Sequence, residues 1–331
     1  VGIAPIRKTH SGMVPVSGDG SKKWESYLPI IEKPNLYNPE IGYISTANQN
    51  VTPGDYNKWE AIGFDWADPY RGNRINRVLE SKEKFNLKEM LRLQVDYYSI
   101  PSEQIINLSS GLISNNIEYF TMLEKWDKKL SKSSIEAGIY IEWQNQLFLE
   151  VTKKFIPEKV NKYIDMQLFK VIEKISEMNI NEKKELLNRT FNSSVDNLKE
   201  KFGENPDNWV YGQKDFKHVK IYHPLEKVVN DSIREIIGLK SYSRGGDGYT
   251  PGSTSNSLNQ ESGGSFRVMI DTGNWDNSFA TNSPGQSGDP KSKFYDNLYE
   301  DWANDVYFPL LFSKSKILKN LSKRTVFKPK D

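Results

Sequence analysis

With 331 residues and 37% hydrophobic side chains, the chain exceeds a typical single domain and carries enough apolar material for a substantial core. Its 45 basic and 43 acidic residues leave a net charge of +2, too small for a global field that would favour nucleic acid or an anionic membrane surface, and no basic stripe is interleaved with stacking aromatics. The absence of cysteine excludes disulfides, thiolate metal sites and a cysteine nucleophile within this chain, and no apolar run reaches the ~18 residues of a membrane span.

The opening residues, Val1-Gly2-Ile3-Ala4-Pro5, have no Met, no charged n-region and no h-region. They read as mid-protein sequence, so the expectation is a processed or truncated fragment with any signal peptide upstream. Residues 1–75 are rich in Pro, Gly, Asn and aromatics and predict short strands and ordered loops, with Tyr27–Ile31 one apolar stretch. Gly42–Thr46 alternates like a strand and ends in the amide-rich turn Ala47-Asn48-Gln49-Asn50, while Pro69-Tyr70-Arg71-Gly72 is a basic turn feeding a helix.

Residues 76–202 change to a charged, helical pattern. Asn86 and Glu89 predict a capping box ahead of a helix through Leu87, Leu91, Val95 and Tyr98, ended by Pro101. Ser133 and Glu136 predict a second box, ahead of Ile135, Ile139, Trp143, Leu147 and Val151 at every fourth position. A third helix is expected after Asn181, with Leu187, Phe191, Val195, Leu198 and Phe202 on one stripe and Gly203 as its stop. Residues 203–331 mix a turn at Trp209–Gly212, a strand near Val219–Tyr222, a helix through Ile233–Ile237, and a Gly/Ser/Thr/Asn-rich ordered loop over 241–264. Then come a strand over Ser265–Asp271, a helix over Tyr295–Trp302 and an apolar end at Phe308–Phe312. Strands towards both ends with helices between them make this an α+β chain in three segments, 1–75, 76–202 and 203–331, with no internal repeat.

Asn48 and Arg71 are the candidate site residues. A side-chain amide at the end of a strand and a permanent cation at the start of a helix suit the stabilisation of a developing oxyanion. Each residue also has an ordinary explanation: Asn before a turn bonds its local backbone, and Arg at a helix start is commonly a solvated charge. The three histidines, His10, His218 and His223, have no triad-like or metal-like spacing. Gly285-Gln286-Ser287-Gly288-Asp289 is not a nucleophile elbow, because Asp stands at the final Gly position. Gly245-Gly246-Asp247-Gly248 and the pair Asp271 and Asp276 lack EF-hand spacing and read as turn caps. Trp59, Phe64, Trp66 and Tyr70 are candidates either for an acyl pocket or for plain core.

The order of these pieces along the chain resembles the penicillin acylase (penicillin amidase) family of N-terminal-nucleophile hydrolases. The resemblance runs from Trp24 and Leu28-Pro29 through Gly42-Tyr43-Ile44, Ala47-Asn48, Tyr70-Arg71 and Arg74-Ile75 to Gln94 with Asp96 and Trp126-Asp127. It continues through Tyr211-Gly212, His223-Pro224-Leu225 and Ser265-Phe266-Arg267 to Pro284-Gly285-Gln286-Ser287-Gly288 and Pro309-Leu310. It implies a four-layer αββα sandwich with a large helical insertion and a precursor that cuts itself into a small and a large chain. The present sequence would be the C-terminal part of the large chain. The nucleophilic N-terminal Ser, whose own α-amine acts as base, would lie upstream, with a small-molecule N-acyl compound as substrate. Asn48 would then donate to the oxyanion and Arg71 would hold Asn48 in place. No cofactor is required by this chemistry. The family's structural calcium would have its ligands mostly outside this chain, with Glu60 the one contributor considered within it. The resemblance also implies a periplasmic or extracellular location. Against this stand a non-enzymatic glycan-binding module built on the Trp- and Tyr-rich loops, and an inactive family member.

Overall fold

The computed structural model describes residues 2–63, 65–164 and 166–329. The chain divides into two compact units, Val1–Ser81 and Lys82–Asp331.

In the first unit, strands β1 (Ala4–Ile6) and β2 (Ser26–Leu28) pair antiparallel, with Ala4 opposite Leu28. Leu28 is buried, and β1 packs against the short helix α1 (Trp59–Ile62), where the Arg7 N–H donates to the Glu60 carbonyl at 3.3 Å. Helix α2 (Tyr70–Leu79) follows directly on Pro69 and buries Tyr70 and Gly72. The expected strand at Gly42–Thr46 does not form: among the described residues this stretch has no ladder partner, and its backbone runs as irregular structure. An extended segment becomes a strand only when a neighbour accepts its N–H and C=O groups.

The second unit opens with α3 (Leu87–Gln94), whose capping box is complete: the Glu89 N–H donates to Asn86 Oδ1 and the Asn86 N–H to the Glu89 carboxylate. Pro101 does not end this helix. It sits in the first turn of α4 (Ile100–Ser109), capped by Ser99, where a missing N–H costs nothing. Helices α5 (Ile117–Lys125), α6 (Ile135–Phe155), α7 (Glu158–Asn161), α8 (Leu168–Glu177) and α9 (Ile180–Phe202) follow. The cap of α6 is Ser134 rather than Ser133, accepting from the Ala137 N–H at 3.0 Å, and the cap of α9 is Asn179 rather than Asn181.

Helices α6 and α9 pack along their length. Ile139, Trp143, Leu147 and Val151 meet Leu187, Phe191, Val195 and Leu198, all fully buried. The Trp143 and Phe191 rings lie 5.0 Å apart with Phe120 edge-on to both, and Trp143 Nε1 donates to Thr190 Oγ1 at 3.1 Å. The period-3.6 stripes thus become one aromatic core, and Gly203, at φ +86°, stops α9 as the sequence implied.

Beyond it, β3 (His218–Val219), α10 (Asp231–Ile237), β4 (Tyr242–Ser243) and β5 (Asn259–Gln260) lead to β6 (Arg267–Met269), β7 (Ser278–Thr281), α11 (Tyr299–Ala303), β8 (Phe308–Leu310) and α12 (Lys314–Lys319). The strands make two three-stranded sheets, β4-β3-β5 and β6-β7-β8, the latter antiparallel throughout with Val268 opposite Ala280 and Ala280 opposite Phe308. A second core of Val219, Leu239, Tyr299, Trp302 and Ala303 lies under α11. The loop over 241–264 is ordered, as its charged and aromatic residues implied. Buried Lys217 donates to the carbonyls of Thr254, Ser255 and Ser257 at 2.7, 2.8 and 2.9 Å. Buried Arg244 and Arg267 both donate to Asp305, at 2.9 and 2.5 Å, and Tyr97 donates to its other carboxylate oxygen.

Candidate active site

The two residues singled out from the sequence meet. Arg71, in the first turn of α2, donates from Nη2 to Asn48 Oδ1 at 2.9 Å. A guanidinium has donors only, so this contact fixes which way round the amide sits: Oδ1 faces Arg71, and Nδ2, with both its hydrogens, points away. Asn48 is exposed and Arg71 half-buried. Burial draws the Arg71 guanidinium below its ordinary pKa, yet an arginine stays cationic near neutral pH. The pair therefore presents one oriented N–H donor at the surface, polarised from behind by a positive charge.

The turn that carries Asn48 is held on every side. Asn48 itself adopts φ +66°, in the left-handed region that Asn tolerates better than most residues. Its carbonyl accepts from the Ala67 N–H at 3.1 Å, and the Ala47 N–H donates to Gln49 Oε1 at 2.7 Å. The Gln49 carboxamide then lies directly on Gly72, where a methyl group would overlap it. Further back, the Ser45 hydroxyl bonds Asn76 Oδ1, and the Tyr43 hydroxyl donates to Glu80 at 3.2 Å. Residues 72, 76 and 80 recur every fourth position, so the stretch 43–49 is laid along one face of α2 through side chains. This contact replaces the ladder expected for Gly42–Thr46. Gln49 and Gly72 were not singled out from sequence. The available signal was a small residue one position after the candidate cation.

The other candidates are dispersed. Tyr70 is buried at the start of α2, Trp59 and Trp66 are half-buried, and Phe64 lies outside the described residues. Glu60 is half-buried on α1, and among the described residues no group of three or more His, Asp or Glu side chains is arranged to hold a metal. Asp271 caps its own turn by accepting from the Gly273 and Asn274 N–H groups. Asp276 accepts from the Phe312 and Ser313 N–H groups, both at 2.9 Å, which pulls its pKa down to about 2. Asp247 is buried, with Oδ1 accepting from the Tyr249 N–H, and burial pushes its pKa up to about 6. In the Gly285–Gly288 loop, Ser287 Oγ accepts from the Asp289 N–H at 3.1 Å, a turn contact and not a nucleophile poised on a base.

The fold is α+β and sets an arginine-held asparagine amide in a turn beside α2, and comparison with known proteins gives its family. The chain matches the penicillin amidase family over residues 1–319 and belongs to it. Acyl-homoserine lactone acylase QuiP of Pseudomonas aeruginosa is 23% identical over 96% of this chain and 43% of its own length. Penicillin acylase 2 proenzyme of Pseudomonas sp. strain SE83 is also 23% identical, over 95% of this chain and 42% of its own. Thermostable penicillin G acylase from Alcaligenes faecalis superposes with a TM-score of 0.70 at 15% identity, covering 99% of this chain and 64% of that one. The chain thus spans less than half the length of these curated relatives. Among the described residues no helix is long and apolar enough to cross a membrane.

Proposed function

We propose that this chain is part of an N-acyl amide hydrolase and supplies its oxyanion donor, Asn48, together with the clamp that aims it, Arg71. The carrying observation is the 2.9 Å contact from Arg71 Nη2 to Asn48 Oδ1, which leaves the amide hydrogens of Asn48 facing outward. On this reading the nucleophile is an N-terminal Ser in another part of the same precursor, and the whole enzyme completes the four-layer sandwich. The Ser Oγ attacks the amide carbonyl carbon while its proton passes to the Ser α-amine, whose ordinary pKa of about 7.7–8.0 suits a base near neutrality. The carbonyl oxygen becomes an oxyanion that Asn48 Nδ2 stabilises. The C–N bond then breaks, the amine leaves with the proton, and water releases the acyl group from the resulting ester. The names of the relatives, acylases of homoserine lactones and of penicillins, support an N-acyl substrate. The proenzyme among them supports a processed precursor.

The test is Asn48→Ala in the complete enzyme. Turnover is expected to fall about 10²–10³-fold with KM little changed, because the contact strengthens mainly in the transition state. Asn48→Gly accepts the same backbone conformation and should show the same loss, separating the missing donor from backbone strain. Arg71→Lys should also lower turnover, since an ammonium cannot reproduce the planar fork that holds Oδ1. Wild-type turnover in both Asn48 variants would remove the residue from the mechanism.

A further inference from the structure

The near-zero net charge conceals a segregation. From Ser313 to Asp331 there are seven Lys or Arg residues and one acid, Asp331, so this segment carries +6 and residues 1–312 carry −4. Every residue from 314 to 329 is exposed. One of the cations, Lys316, approaches a carboxylate, Asp276, at 3.8 Å. Apolar side chains are set among the charges and left in water: Leu321 is 47% exposed, Val326 63% and Phe327 92%. The family-model match ends at residue 319, ahead of these three. A solvated charge run has no need of exposed phenylalanine, and an ordinary core segment has no need of seven cations.

We propose that residues 313–329 dock the protein peripherally on an anionic phospholipid surface. Charge complementarity brings the basic segment to the headgroups, and Leu321, Val326 and Phe327 enter the boundary between headgroups and acyl chains. Nucleic acid or an acidic polysaccharide would match the charges equally well but would give those three side chains nothing to enter. The segment lies on the bilayer and does not span it.

The test is cosedimentation of residues 1–331 with vesicles of phosphatidylcholine alone and of a phosphatidylcholine–phosphatidylglycerol mixture. Binding is expected to the mixture only, and to disappear at high salt. The triple variant Lys319→Glu, Lys323→Glu, Arg324→Glu should abolish it. The double variant Val326→Ser, Phe327→Ser should weaken it about tenfold or more, from the lost apolar burial. These side chains are exposed, so the unfolding midpoint should not move. The first unit is unchanged in both variants, so its own apolar surface cannot account for a difference. Equal binding to both vesicle types overturns the proposal. So does full retention of binding by the Val326/Phe327 variant, and DNA or an acidic polysaccharide bound as tightly as the mixed vesicles would then identify a purely ionic polyanion site.

Discussion

The missing side chain at Gly72 lets the Asn48 turn reach α2. Any Cβ there would push the Gln49 carboxamide off the helix, and with it the Ala47 N–H that Gln49 accepts from. Gly72→Ala in the complete enzyme is therefore expected to lower turnover by about 10², the usual consequence of moving a catalytic group by about 1 Å. It should not weaken α2, since Ala is the better helix former by about 1 kcal/mol. Adding Gln49→Ala removes the overlap and should recover part of the loss. Unchanged turnover in Gly72→Ala would show that Gln49 does not set the Asn48 position. At this scale the sequence was legible only in part. The residue types of Asn48 and Arg71 made them candidates, the resemblance implied a donor and a clamp, and the fold brings the two into contact. The Gln49–Gly72 contact was hidden because it depends on the depth to which a loop sinks onto a helix, which no periodicity encodes.

The loop over 241–264 is an element built on one buried cation. Lys217 holds three of its carbonyls, and burial lowers the Lys217 pKa from 10.5 to about 8. The folded protein therefore holds this proton less tightly than the unfolded chain. Lys217 contributes stability in full above about 10.5 and loses it as pH falls towards about 8, a change on the order of 3 kcal/mol. Asp247 in the same loop runs the other way and lower down: its pKa is raised from 3.8 to about 6, so its contribution falls as pH rises through that interval. Chemical denaturation between about pH 8 and 9.5, below the ordinary tyrosine range, should show stability rising with pH, and Lys217→Met should remove that slope. An identical slope in the variant would place the titration elsewhere. The Gly/Ser/Thr composition alone reads as a flexible linker; Arg244 and Tyr249 within it were the signal for order. The long helices were legible because α6 and α9 bury strict stripes. Helices α4, α5 and α8 were missed, since short apolar runs between turns do not declare a period. Pro101 was misread because a proline marks the first turn of one helix as readily as the end of another.

At the scale of the molecule the two units differ in how completely they cover their apolar residues. The second holds nearly all the buried apolar residues, around the α6–α9 core, though Val228 and Phe327 stay exposed, whereas the first leaves Trp24, Ile31, Tyr37 and Ile41 exposed, Ile31 at 83% and Tyr37 at 89%. The α+β class was legible in strands near both ends with helices between, but the sandwich was implied by the resemblance alone, because the described sheets have only two or three short strands each. Beside Asn48 the hydrogen-bonded hydroxyls are those of Ser45, spent on the Asn76 amide, and Tyr43, spent on Glu80. The Asn76 amide is no base for Ser45, and desolvation together with the Glu80 charge raises the Tyr43 pKa, so neither hydroxyl is an activated nucleophile. Residues 1–331 purified alone are therefore expected to leave chromogenic N-acyl anilides intact, and to bind a dye that reports exposed apolar surface. Coexpression with the remainder of the precursor should lower the dye signal to what the exposed Leu321, Val326 and Phe327 leave, and restore turnover together, since the same association would cover the first unit and bring a nucleophile to Asn48. Turnover well above background by the chain alone would end the division of labour proposed here. Dye binding undiminished in an active complex would instead detach the first unit's exposed apolar residues from that association.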